Sequence, residues 1–402
     1  MKLLILVLLA CLLAAPAAAF SLPLVSLPAG TPAATDLPLV ATFEGGQRYQ
    51  AGDYPVIVLS GSYRQMGRQY GGLMKTELNE EYTFLMDTLV SRGYTKDAIR
   101  KETPAITAYY PQRVKEIFAG MAETSGLTPE DIAILWYGPI YQISAAPVVP
   151  ASCSYLATWG NYTTGGSVVV SRNWDLPDLV QPFTKWYVLT VYRPTDGSNA
   201  VATWGPAGAR PETFMNSKGL FIADDNAGIE DTAPEARPEF ITEYFRFMFD
   251  YSDLKALDAG IRGTAPDYAW IVDVAGPDGA YVYEKSTART VQRTGNGVVA
   301  AANHFTDPSW NFTAPPAHSL SRYTNLLRQA EEAKGSIDGQ AMMKIRDVCL
   351  ENGGAKFCHA NLGGNLYSSN HQVVYMPGTR TLWMNVMDKP WQQVELAPLF
   401  GN

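Results

Sequence analysis

The chain has 402 residues, enough for one large α/β unit or for two to three average domains. Its hydrophobic fraction of 47% with 17% charged residues suits an ordinary globular enzyme. The net charge of −8 provides no basic face, which argues against nucleic acid and anionic membrane surfaces as partners.

The first elements are those of a targeting signal. Lys2 is the charged start, Leu3 to Leu13 the apolar stretch and Ala17-Ala18-Ala19 the small-residue cleavage site, so residues 1–19 are expected to be removed on export. A second reading takes Leu8-Leu9-Ala10-Cys11 as a lipoprotein box that leaves an acylated Cys11 as anchor. No other stretch has the eighteen or so apolar residues of a membrane helix. Residues 20–40, rich in Pro, Ala and Leu without periodicity, read as a draped leader.

Helical spacing dominates from 61 to 146. Gly61-Ser62 opens a run through Leu89, and Lys96 to Met121 continues with apolar spacings of three and four. Thr128-Pro129-Glu130-Asp131 is a capping signature with proline at the first helical position, starting a helix to about Tyr141. Pro147 and Pro150 then force an extended, exposed path directly before Cys153.

After Cys153 the texture changes to strands, expected at Lys185–Tyr192, Ala200–Trp204, Gly219–Ala223, Tyr268–Val274, Tyr281–Glu284, Val298–Ala302, Gln372–Tyr375 and Leu382–Val386. Pro277-Asp278-Gly279 and Pro377-Gly378-Thr379 are turns closing hairpins. Helices are expected at Pro238–Phe249, Ser319–Lys334 and Gly339–Leu350. Strands with helices grouped between them favour layered α+β, two sheets faced by helices.

The segment Cys153-Ser154-Tyr155-Leu156-Ala157-Thr158-Trp159-Gly160, a Gly-rich turn at 163–167 and Val168-Val169-Val170-Ser171-Arg172-Asn173-Trp174-Asp175 read as one hairpin. Pairing brings a thiol at the start of one strand to an arginine and an aspartate at the end of the other. A thiolate is the nucleophile and a neighbouring cation lowers its pKa, so the grouping suits covalent catalysis. A hairpin with a buried cysteine and an end-of-strand salt bridge is the alternative. Removal of Cys11 leaves three cysteines, an odd number for an oxidising compartment. Cys349 and Cys358 flank Glu351-Asn352-Gly353-Gly354, where a local disulfide closes easily and leaves Cys153 free. Pairing of Cys153 with one of them is the other possibility. The four histidines show no metal-ligand spacing and no Gly-rich phosphate loop occurs, so neither metal nor cofactor is expected.

These motifs recur in a set order that resembles the N-terminal-nucleophile hydrolases. The nearest branch is that of the penicillin acyltransferase-like peptidases, with choloylglycine hydrolase, penicillin V acylase and acid ceramidase as relatives. Members start with Cys-(Thr/Ser) followed by Gly-(Arg/Gln)-Asn-x-Asp; here Cys153-Ser154 and Ser171-Arg172-Asn173-Trp174-Asp175 match, with serine in place of the glycine. Asn216-Ser217-Lys218-Gly219-Leu220 leading to Asn226 matches next, then Asp273 to Glu284 and Ala302-Asn303-His304-Phe305. Ser319 to Tyr323, with Arg322, matches last. Upstream, Gly61 to Gly71 resembles the propeptide helix, so the likeness runs over roughly residues 55–395.

The resemblance implies a four-layer αββα sandwich of two antiparallel sheets, with a mostly helical propeptide or α-subunit at 20–152 and a catalytic β-subunit at 153–402. It implies that Cys153 cleaves its own bond to Ser152 and that the freed α-amine serves as base for the thiol, with the propeptide as partner afterwards. Asp175 would orient the amine, Arg172 favour the thiolate, Asn226 and Asn303 donate to an oxyanion, and Arg322 hold the site together or bind a substrate carboxylate. Turn or surface roles are the alternatives for Asn226, Asn303 and Arg322. The implied substrate is a small N-acylated amide, cleaved through an acyl-thioester in a secreted or periplasmic (lysosomal or extracellular) setting. An acyltransferase, or an unprocessed binding protein of the same fold, is the rival; the oligomeric state stays open.

Overall fold

The computed structural model describes residues 37–144, 152–311 and 315–401, apart from Glu230, Pro234, Ala236 and Pro238. The expected signal segment with Cys11, the leader up to residue 36 and the Pro147/Pro150 stretch lie outside the described residues. Chain order begins with a meander that the leader-plus-helices reading did not anticipate: β1 (Leu39–Phe43), β2 (Gly46–Ala51) and β3 (Tyr54–Gly61). Five helices follow, α1 (Tyr63–Leu73), α2 (Lys75–Ser91), α3 (Lys96–Thr107), α4 (Gln112–Ser125) and α5 (Pro129–Ser144). The expected continuous run from Lys96 to Met121 breaks between α3 and α4 at Pro111, which disfavours helical conformation in the residue before it.

Local chemistry explains the helix starts. Ser62 and Gln65 form a reciprocal capping box on α1, and Thr128 and Asp131 exchange backbone-to-side-chain bonds at the start of α5. Gly67 of α1 and Gly120 of α4 set how closely these helices cross. A Cβ at Gly67 would lie 2.2 Å from the Ile117 carbonyl oxygen, and one at Gly120 2.1 Å from that of Arg64.

Beyond residue 152 the strands are β4 (Ser152–Gly160), β5 (Gly166–Pro177), β6 (Tyr187–Pro194), β7 (Val201–Pro206), β8 (Thr213–Asn216) and β9 (Phe221–Asn226). Helices α6 (Glu243–Asp250) and α7 (Leu254–Gly263) lead into β10 (Trp270–Gly276), β11 (Gly279–Lys285), β12 (Thr290–Thr294) and β13 (Val298–Ala301). The chain closes with α8 (Ala317–Glu332), α9 (Gly339–Asp347), β14 (Ala360–Leu362), β15 (Asn365–Met376), β16 (Thr381–Val386), β17 (Gln392–Glu395) and α10 (Leu396–Phe400).

Among the described residues the strands form two sheets. The first has the order β1-β2-β3-β6-β7-β8-β9-β10-β11-β12, the second β13-β4-β5-β15-β16-β17 with β14 on β15. Pairing is antiparallel except between β3 and β6, where Val56 faces Leu189 in a parallel ladder. Strands from both sides of Cys153 therefore share one sheet. Helices α1, α6 and α7 cover the first sheet and α8 and α9 the second, giving the four-layer αββα order. Between the sheets, Phe221 stacks with Tyr155 and Tyr375 at 6.2 and 6.1 Å between centroids. Full burial of each ring contributes roughly 2–3 kcal/mol. The buried Tyr155 hydroxyl donates to the Val274 carbonyl across the gap, so its polar end is satisfied.

Candidate active site

The hairpin register decides which groups can meet. Cys153 pairs with Trp174 and Tyr155 with Arg172, whereas Ser152 pairs with Asp175 and Ser154 with Asn173. Alternation along a strand sends Cys153, Arg172 and Trp174 to the face toward the first sheet. Asp175, Asn173 and Ser154 point to the opposite face, under α8 and α9. The sequence places thiol, arginine and aspartate at one end of the hairpin; the pleat divides them between its two faces.

On the inter-sheet side, Arg172 is wholly buried and its Nη2 lies 3.4 Å from the Cys153 sulfur. The same nitrogen donates to Glu212 Oε2 at 3.2 Å and the Asp224 carbonyl at 2.5 Å, while Nη1 reaches Thr213 at 3.2 Å. Asp225 Oδ1 stands 3.9 Å from Nε. Cys153 is a free thiol and only 2% exposed. Burial pushes the thiol well above its ordinary pKa, and Asp225, Glu212 and Asp175 add to that against the pull of Arg172. The expected depression of the thiol pKa is thus reversed, because desolvation outweighs one shared guanidinium.

On the other face, Arg322 of α8 is also wholly buried and binds the main chain of Cys153 itself. Its Nη1 donates to the Cys153 carbonyl at 2.5 Å and to Asp175 Oδ2 at 3.1 Å; Nη2 donates to Asn303 Oδ1 at 2.6 Å. The Cys153 N–H donates to that same Asn303 oxygen at 2.9 Å. Both donors face Oδ1, so the orientation of the Asn303 amide is fixed by its partners. Its Nδ2 is spent on the Asn226 carbonyl at 2.9 Å. Asn303, expected as an oxyanion donor, stands here as an acceptor for the Cys153 nitrogen.

Asp175 makes no hydrogen bond to the Cys153 N–H among the described residues; it is held by Arg322 and by the Ser369 hydroxyl at 2.5 Å. Burial pushes its carboxyl up, with Arg322 and Ser369 opposing. Asn226, at the end of β9, uses its Oδ1 to accept the Gly228 N–H at 2.8 Å. Its Nδ2 holds no hydrogen bond among the described residues and is the one uncommitted amide donor of the expected pair. All six expected residues thus converge on the start of β4, through different atoms from those anticipated for Asn303 and Asp175.

Several participants were missed. Glu212 and Thr213 come from β8 and its approach, Ser369 from β15, and Arg346 from α9. Arg346, fully buried, donates to Ser154 Oγ at 2.8 Å and Asn173 Oδ1 at 2.8 Å. No spacing links these positions to Cys153 in sequence. Asp224 and Asp225 did stand out as an acidic pair, and with Asp273 they are buried with carboxyls pushed up by desolvation.

No family model matches the sequence, and no curated protein matches it. Among solved structures, the chain is similar to a variant of the conjugated bile acid hydrolase from Clostridium perfringens, at 12% identity and a TM-score of 0.45 over 62% of this chain and 95% of that one. It is similar to penicillin V acylase from Agrobacterium tumefaciens at 12% identity and 0.44, over 60% and 85%. It is also similar to the Caenorhabditis elegans ortholog of N-acylethanolamine-hydrolyzing acid amidase, at 11% identity and 0.39, over 56% and 93%.

Proposed function

We propose that this protein is an exported, self-processing cysteine amidase with Cys153 as nucleophile, acting on the non-peptide amide of an N-acylated small molecule. One observation carries the reading: three groups converge on a single residue, Arg172 at its sulfur, Asn303 at its nitrogen and Arg322 at its carbonyl oxygen. A structural cysteine needs none of these, since its backbone is ordinarily satisfied by the strand ladder.

In processing, Sγ attacks the Ser152 carbonyl carbon, the Ser152–Cys153 C–N bond breaks, and the thiol proton ends on the new amine. Water then hydrolyses the thioester, leaving a Ser152 carboxylate and Cys153 with both thiol and α-amine free. An α-amine titrates near ~8 and is partly neutral at physiological pH, so it can take the thiol proton. Arg322, sharing Asn303 Oδ1 with that nitrogen, disfavours a second positive charge beside it and so favours the neutral base. The thiolate attacks the substrate carbonyl, Asn226 Nδ2, which has no other hydrogen bond among the described residues, would donate to the developing oxyanion, and the leaving amine takes the proton back. Water releases the acyl group from sulfur; an amine in place of water would make the reaction an acyl transfer. The Cys349–Cys358 bridge supports an oxidising, exported setting.

Intact mass and N-terminal sequencing of purified protein test the reading. A fragment beginning at Cys153, absent from Cys153→Ala, is expected, with turnover of at least one of penicillins, N-acyl amino acids, acyl homoserine lactones, bile-salt conjugates or ceramides. An unprocessed chain inert toward the whole panel makes it a binding protein instead. Hydroxylamine as added acceptor separates hydrolysis from transfer.

A further inference from the structure

The geometry points to the Cys349–Cys358 loop as a positioning element for the nucleophile's supports, acting through Phe357 and Ser369. The inference rests on the reading of Cys153 as nucleophile and names what holds its partners in place. The bridge encloses eight residues, and both cysteines are half-buried. Phe357, immediately before Cys358, is buried and its ring lies over the Arg322 guanidinium, 4.8 Å from centroid to CZ. Its main chain clasps Ser369: the Phe357 N–H donates to Ser369 Oγ at 3.0 Å and the Ser369 N–H donates to the Phe357 carbonyl at 2.9 Å. Ser369 Oγ in turn donates to Asp175 Oδ1. One residue beside the bridge therefore constrains both members of the Asp175–Arg322 pair, one through a ring and the other through a hydroxyl.

The other stem of the loop reaches the same hairpin. Arg346, three residues before Cys349, donates to Ser154 and Asn173, and Asn173 Nδ2 donates to Ser369 Oγ at 3.4 Å. Gln372 fastens this stem to β5, donating to Asn173 Oδ1 at 3.1 Å and to the Arg346 carbonyl at 2.7 Å. The disulfide closes the loop between a stem that grips β4 and β5 and a stem that grips Asp175 and Arg322. Opening it frees Phe357 from its fixed approach, while the guanidinium and carboxylate keep each other. The expected result is a site that folds but holds Cys153 less well.

Three preparations test this: the Cys349→Ser/Cys358→Ser variant, which lacks the bridge and leaves Cys153 untouched, Ser369→Ala, and Ser369→Thr. Self-cleavage and kcat should fall about tenfold in the first two with KM unchanged, and Ser369→Thr should restore them. Gly67→Ala, destabilised in the helical layer on the other sheet, is the control for mere loss of stability. If Gly67→Ala slows both reactions as much at equal Tm, or if the Cys349→Ser/Cys358→Ser variant keeps wild-type rates, the positioning role is overturned. The rate at which methyl methanethiosulfonate modifies Cys153 needs no substrate and no cleavage. It should rise in the Cys349→Ser/Cys358→Ser and Ser369→Ala proteins even if the wild type turns over no amide, so failure of the functional reading and failure of this one are told apart.

Discussion

Arg322 holds Cys153 twice, donating to its carbonyl at 2.5 Å and sharing Asn303 Oδ1 with its N–H. The guanidinium is wholly buried and its ionic partner, Asp175, is equally so. A buried pair of this kind adds little net stability, yet removal of one member strands the other charge in a dry interior. Arg322→Gln is therefore expected to cost about 3–5 kcal/mol by urea denaturation and to abolish self-cleavage. The Arg322→Gln/Asp175→Asn double variant should cost less than the two single changes summed, a non-additivity that a cycle of urea midpoints measures.

Asn226 and Asn303 are expected to separate by role. Asn226 Nδ2 is uncommitted, so Asn226→Ala should leave processing and Tm near wild type and lower kcat on the order of a hundredfold or more. Asn303 spends both ends of its amide on the Cys153 nitrogen, Arg322 and the Asn226 carbonyl. Asn303→Ala should then impair cleavage of the precursor and reduce stability, because it orphans a buried N–H and a guanidinium donor. N-terminal sequencing beside steady-state kinetics reads both. Equal losses in the two variants, or a fully active Asn226→Ala, would return Asn226 to a turn role.

Stability should fall on the alkaline side. Burial raises the Asp224, Asp225 and Asp273 carboxyls in the folded chain above their unfolded value of about 3.9. The native state then keeps protons that the unfolded chain releases, so their contribution is full below pH ~3.9 and is lost as pH rises through the folded values. His304 and His318 are held down to about 4, and His371 lower still, so their contribution is full above the unfolded value of ~6.5 and is lost as pH falls toward 4. Between pH ~4 and ~6.5 the two sets oppose each other; above that, of the two, only the carboxyls still titrate, and above pH ~8 Lys285, held down to about 8 by burial, works against them. The urea midpoint should therefore be flat near pH 5–6 and drop between pH ~6.5 and ~8, at most about 1.4 kcal/mol per pH unit for each carboxyl still protonated in the folded chain, with Asp225 dropping out near its value of about 7. Asp273→Asn should lessen that drop; an unchanged slope would show that Asp273 is ionised in the native state.

Much of this was legible in the chain because it was local. The β4–β5 hairpin follows from β-branched runs around a Gly-rich turn, the α5 start from Thr128 and Asp131, and the Cys349–Cys358 pairing from proximity. The strands β1 to β3 were not, since Gln47, Arg48 and Gln50 break the alternation and the parallel pairing of β3 with β6 joins segments more than a hundred residues apart. The site behaved likewise. Residue types near Cys153 were readable, but which end of the Asn303 amide meets the Cys153 N–H depends on Arg322 arriving from α8. Ser369 and Phe357 reach Asp175 and Arg322 only after the second sheet has formed, and nothing in their own sequence neighbourhood announces it.

The N-terminal helical layer offers a test that stands apart from the chemistry. In α1, Gly67 faces the Ile117 carbonyl of α4, and an added Cβ would sit 2.2 Å from that oxygen. The obstacle is backbone rather than a side chain tip, so it can be relieved only by moving one helix off the other. Helix propensity alone would favour alanine there by up to about 1 kcal/mol, and overpacking costs typically about 1–3 kcal/mol or more when backbone must shift. The second term wins. Gly67→Ala should lower Tm by several degrees, while Gly93→Ala, whose Cβ would meet nothing within 4 Å but whose φ is +93°, should cost less. Because β3 leads directly into α1 and pairs with β6, a separated α1 is also expected to loosen the first sheet's edge, read as faster amide exchange in β2 and β3. A Gly67→Ala protein with unchanged Tm and exchange would mean that α1 and α4 do not cross at this contact.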